Sequence, residues 1–110
     1  MNNEIKFIMS ELELIYGYYQ DNFSLKRIKT YILSMPEGTK ITKVETGNVP
    51  MYGQDLPLPI AQFSDETDSV GLLQVTHTMI KDRGVEVFAQ DAERVKDLVN
   101  RLIELIQPAK

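Results

Sequence analysis

Six apolar side chains near the end of the chain constrain the fold most. Val95, Leu98, Val99, Leu102, Leu105 and Ile106 recur at steps of one, three and four residues. An α-helix gathers such positions on one stripe, and a stripe of that length must be buried against another element. The pattern predicts a helix with Asp91 as N-cap, Glu93 in the first turn and Pro108 at its end. Asp97 and Arg101 stand at i,i+4 on the opposite side, a pairing worth about 0.2–0.5 kcal/mol at most.

A second stripe lies at the other end. Ile5, Ile8, Met9, Leu12, Ile15, Tyr16 and Tyr19 predict a helix over residues 3–19, with Glu4 at its positive end and Gly17 as a mild cost. Leu12, Leu14, Tyr16 and Tyr18 also alternate in twos, which makes a strand over 11–19 the competing reading. On the helix, Tyr18 points away from Tyr16 and Tyr19. Ser24 is the expected N-cap of a second helix with Leu25, Ile28, Ile32 and Met35 inward, Pro36 as its stop and Glu37-Gly38 as a turn. Lys26, Arg27 and Lys29 fall outside that stripe and read as a solvated face.

The middle of the chain reads as extended. Thr39–Thr46 is rich in β-branched residues and predicts a strand. Residues 47–59, GNVPMYGQDLPLP, show neither period; three prolines argue for a surface loop, either a strap or a contact loop led by Met51 and Tyr52. Leu58–Ser64 resumes an extended pattern with Ile60 and Phe63 as anchors, and 65–69 is a polar turn. In Val70–Lys81, Leu72, Val75, Thr76 and Met79 would suit a helix and Leu73, Val75, His77 and Met79 a strand face; the Val and Thr content predicts the strand. Asp82-Arg83-Gly84 reads as a hairpin connection leading to a further strand over 85–89. The expected fold is therefore one α+β domain over 1–110, in the order α-α-β-β-β-β-α. An antiparallel sheet of about four strands has helices at both chain ends packed on one face.

The chemistry is defined chiefly by what is missing. The 110 residues include no cysteine, so disulfides, thiolate nucleophiles and thiolate metal sites are excluded. No apolar run approaches the roughly 20 residues of a membrane helix. Residues 1–14 lack a basic leader, and Glu11 and Glu13 interrupt their apolar run, so no secretory signal is expected and the cytoplasm is the expected compartment. A net charge of −4 argues against a phosphate-backbone partner. The acids Asp65, Glu66 and Asp68 lack calcium-loop spacing, and the glycines form no phosphate-binding motif.

His77 is the sole histidine. It is the candidate polar group of a ligand pocket between sheet and helices, but no nucleophile motif accompanies it. Tyr18, Met51 and Tyr52 are candidate interface residues, because amphipathic rings and thioethers suit protein contacts. The expectation is a non-enzymatic interaction or assembly module with no metal or cofactor, forming a homodimer or binding another protein. The alternative is a small ligand-binding or enzyme subunit whose pocket includes His77.

Overall fold

The computed structural model describes residues 3–34, 41–63 and 69–106. Helix α1 (Asn3–Tyr18) is followed by α2 (Asn22–Ile28), which runs on into a π-helical turn (Lys29–Ser34). Strands β1 (Ile41–Met51), β2 (Gln54–Phe63) and β3 (Ser69–Gly71) come next, then helices α3 (His77–Arg83) and α4 (Val85–Ile106). The architecture is α+β, with a three-stranded antiparallel sheet in the order β1-β2-β3. Among the described residues no helix is long and apolar enough to cross a membrane.

Both terminal stripes fold as helices. α1 buries Ile8, Leu12 and Tyr16, and α4 buries Phe88, Ala92, Val95, Leu98, Val99, Leu102 and Ile103. α4 packs against β1 and β2, and α1 packs against α4. Charge pairs run along the α1–α4 seam: Arg101 donates to Glu4 at 2.5 and 3.0 Å, and Arg94 donates to Glu11 at 3.0 Å. Both partners advance by seven residues, in opposite directions, so the helices are antiparallel. Arg101 turns to Glu4 and Glu104 rather than to the expected Asp97, because a bidentate carboxylate on the neighbouring helix fits its planar fork.

The segment read as a loop over 47–59 is instead most of a β-hairpin. Tyr52 (φ 54°) and Gly53 (φ 80°) form its two-residue turn, and positive φ at both central positions is what the strand twist requires. The prolines fit because of register. With Met51 paired to Gln54 at the turn, alternation makes Pro50↔Asp55, Asn48↔Pro57 and Thr46↔Pro59 non-hydrogen-bonded pairs. The missing donors therefore cost the β1–β2 ladder nothing. On its other side β2 still serves β3, where the Leu72 amide donates to the Pro59 carbonyl at 2.8 Å.

The open edge of β1 is covered at one point. Asn100 on α4 accepts from the Val44 amide and donates to the Val44 carbonyl, both at 2.8 Å. A side-chain amide thus stands in for a neighbouring strand.

The strands expected over 70–81 and 85–89 are absent. Only Ser69–Gly71 forms a strand there, Thr76 caps α3 through the Met79 amide, and 85–89 is the first part of α4. Gly84 (φ 89°) ends α3 by donating to Ile80 and starts α4 by accepting from Phe88 at 2.9 Å. Capping chemistry here overrides the β propensity of Val and Thr. Two expected N-caps move as well. Asp21, not Ser24, caps α2 by accepting from the Ser24 amide, and Asp91 lies inside α4. Met35, Pro36, Glu37-Gly38, residues 65–68 and Pro108 lie outside the described residues.

Candidate interaction surface

Helix α3 connects the hairpin tip to the α1–α2 corner, and the predicted site residues sit at its two ends. At its first residue, His77 is exposed and stacks on the Tyr52 ring, with centroids 5.1 Å apart and planes 13° apart. The Tyr52 hydroxyl donates to the Val75 carbonyl at 3.1 Å, yet 46% of the residue stays exposed. Met51 beside it is half-buried and packs on the core. At the last residue of α3, the Arg83 guanidinium lies 4.2 Å from the centroid of the Tyr18 ring. Tyr18 is 49% exposed and meets the buried Tyr19 edge-on. A seven-residue helix rises by about 10 Å, so two partly exposed tyrosines, each pinned by a neighbouring side chain, are separated by that short rod. The structure brings Met51, Tyr52 and His77 together and places Tyr18 at the far end of α3.

Beneath that rod is a polar cluster that the sequence did not reveal. Tyr19 donates to Asp91, and Arg83 donates to the same carboxylate at 3.0 Å. Burial, then the bond to Asp91, holds the Tyr19 phenol well above the ordinary tyrosine range. Burial does the same for Tyr16, whose hydroxyl donates to the Leu72 carbonyl. Both hydroxyls tie distant segments of the chain together.

Asp21 makes the third tie. It is 4% exposed and accepts from the Ser24 amide at 3.0 Å and from the Gln74 amide at 2.6 Å. One carboxylate thus caps α2 and fastens the β3–α3 connection to the α1–α2 corner. The corner is a helix end of the Schellman type. Asp21 donates to Tyr16 at 2.9 Å, Gln20 donates to Gly17 at 3.2 Å, and Gln20 takes the left-handed conformation (φ 56°) usually given to glycine. A cleft of about 590 Å³ opens beside it, lined by Tyr19, Asp21, Phe23, Gln74, Thr76 and Met79 among others. Nothing in the sequence tied Asp21 to Gln74.

Lys26 and Arg27 border a smaller recess with Phe23, Thr30 and Tyr31, and Arg27 lies 4.6 Å from the Phe23 centroid. Among the described residues no group of three or more His, Asp or Glu side chains could hold a metal ion. In comparisons with known proteins, no family, no curated protein and no solved structure matches the chain.

Proposed function

We propose that this chain is a non-enzymatic protein-interaction or assembly module that self-associates, with Tyr18, Met51 and Tyr52 among its contact side chains. The observation that carries the reading is Tyr52. A left-handed conformation costs a non-glycine residue about 1–3 kcal/mol, and Asn at this turn position would be better suited. A half-exposed tyrosine is kept there nonetheless, its rotamer already set by His77 and Val75. A ring fixed before binding loses little entropy on contact. Tyr18 is pre-set in the same way by Arg83 and Tyr19. Asn100 at Val44, and Pro50 further along, argue against pairing through the β1 edge. The absence of cysteine fits a reducing compartment, and this reading places the protein in the cytoplasm.

The test is sedimentation velocity across a wide concentration range on the wild type, Tyr18→Ala and Tyr52→Asn. A wild type that stays monomeric at the highest concentration removes self-association. Tyr52→Asn that destabilises the fold without touching association reduces Tyr52 to a strap.

A second reading is favoured by the cleft beside Asp21: a ligand-binding subunit for a small molecule. Thermal shifts over a metabolite panel separate it from the first, since a ligand of the folded state raises the melting temperature. His77→Ala would then report whether the ring beside Tyr52 takes part.

A further inference from the structure

Helix α1 carries a second row of side chains on the side away from its buried stripe. Phe7, Ser10, Leu14 and Gly17 follow one another at steps of three, four and three, and all four are exposed. Phe7 is 57% and Leu14 is 70% exposed, the latter the most exposed large apolar side chain among the described residues. At Gly17 an added Cβ would meet nothing within 4 Å. The row therefore alternates large, small, large, small along a face that nothing in the described chain covers.

We infer that this row is the seam of a homodimer, in which α1 of one copy packs antiparallel on α1 of a second about a twofold axis. The inference rests on the assembly reading and names its contact. An axis level with residue 12 sets Phe7 opposite Gly17 of the second copy and Ser10 opposite Leu14 of the second copy. Every large side chain then meets a small one, and each pairing recurs by symmetry. That is what a self-complementary twofold contact needs. A row of four large residues would offer no such slots.

The flanking charges can be balanced. Lys6 and Glu13 lie on one flank of the row, two turns apart, and are both exposed. Within one helix they are about 10 Å apart along the axis. Across the twofold, the two Glu13 carboxylates come within about 3 Å axially of each other, and each Lys6, about 7.5 Å axially from Glu13 of the second copy, reaches in on its four-carbon stem to offset that like-charge pair. Tyr18 borders the other flank, which joins the seam to a candidate contact residue.

The size of the contact sets its strength. Sixteen residues make a helix about 24 Å long, so a strip about 10 Å wide covers on the order of 240 Å² per copy. A standard interface covers about 800 Å² per partner, so the seam forms a weak dimer that is populated only at high protein concentration.

The test uses the full chain, with dissociation constants from sedimentation equilibrium for the wild type, Gly17→Leu, Leu14→Glu, Lys6→Glu and Lys6→Glu/Glu13→Lys. Gly17→Leu is the diagnostic variant. It improves helix propensity and finds open space in the monomer, so the melting temperature in dilute solution stays level or rises. It also fills the slot for Phe7 of the second copy, so the dissociation constant rises about tenfold or more, as it does for Leu14→Glu. Lys6→Glu weakens the dimer about threefold and the double swap restores it. A wild type that dimerises with a constant unmoved by Gly17→Leu and Leu14→Glu overturns the seam but not the assembly reading. A wild type that never dimerises overturns both.

Discussion

Replacing Asn100 with alanine tests whether a side-chain amide does the work of a strand. The amide makes two hydrogen bonds of 2.8 Å to Val44, one in each direction, at a partly buried position. Each such bond contributes about 1 kcal/mol net, and a backbone group left unpaired costs somewhat more. Against this, alanine in a helix interior gains roughly 0.6 kcal/mol over asparagine. The expected loss is therefore about 1–2 kcal/mol, a fall in melting temperature of roughly 4–8 °C for a chain of this size. Urea denaturation gives the free energy, and hydrogen exchange followed by NMR gives the site. The Val44 amide should exchange faster by an amount that matches the stability loss. Asn100→Asp keeps an acceptor for the Val44 amide but loses the donor, so its amide protection should survive better than in the alanine variant. If Asn100→Ala unfolds within 0.3 kcal/mol of the wild type (about the spread of a neutral surface change) and Val44 exchange is unchanged, the edge-capping argument is wrong.

Further outcomes follow from the corner and the seam. Gln20→Gly should stabilise the fold by about 0.5–1 kcal/mol in urea denaturation, because glycine takes the left-handed position without a Cβ clash. Asp21→Ala should cost about 2–4 kcal/mol, since it removes a helix cap and the tie to Gln74 together. The hydrogen bond from Arg101 holds the Glu4 carboxyl below its ordinary value of 4.5. Its contribution is thus present above that value and is lost as pH falls through the lowered folded value; in Glu4→Gln the acid-side decline in melting temperature should be shallower. Burial raises the phenols of Tyr16 and Tyr19 above the ordinary value of 10.0, so stability is full below that pH and falls above it. Ultraviolet titration should show both ionising only as the chain unfolds.

The terminal helices were legible because their evidence is periodic and long: Ile8, Leu12 and Tyr16 at one end, Val95, Leu98 and Leu102 at the other. The hairpin was hidden by Pro50, Pro57 and Pro59. Taken singly they read as strand breakers; only the pairing register shows that each falls where no ladder donor is needed. The turn was hidden as well, because Tyr52-Gly53 lacks the Asn-Gly signature of such turns. Residues 70–89 misled in the opposite sense, since valines and threonines suggested strands while Thr76 and Gly84 were capping two helices. Of the candidate site, the choice of Tyr18, Met51 and Tyr52 came from side-chain character. Their grouping around α3 depends on contacts between distant segments. The same holds for Asp21 with Gln74, 53 positions apart, which no local pattern encodes.

The antiparallel embrace of α1 and α4 also imposes an order of events during synthesis. Glu11 emerges from the ribosome 83 residues before Arg94, the side chain that will hold it. At about 5–20 residues per second, that delay is roughly 4–17 seconds. Throughout it, Ile8, Leu12 and Tyr16 wait for the helix that completes their cover. Native packing of α1 cannot be completed until α4 has been made, so a chaperone's shelter would matter through the interval between the two helices.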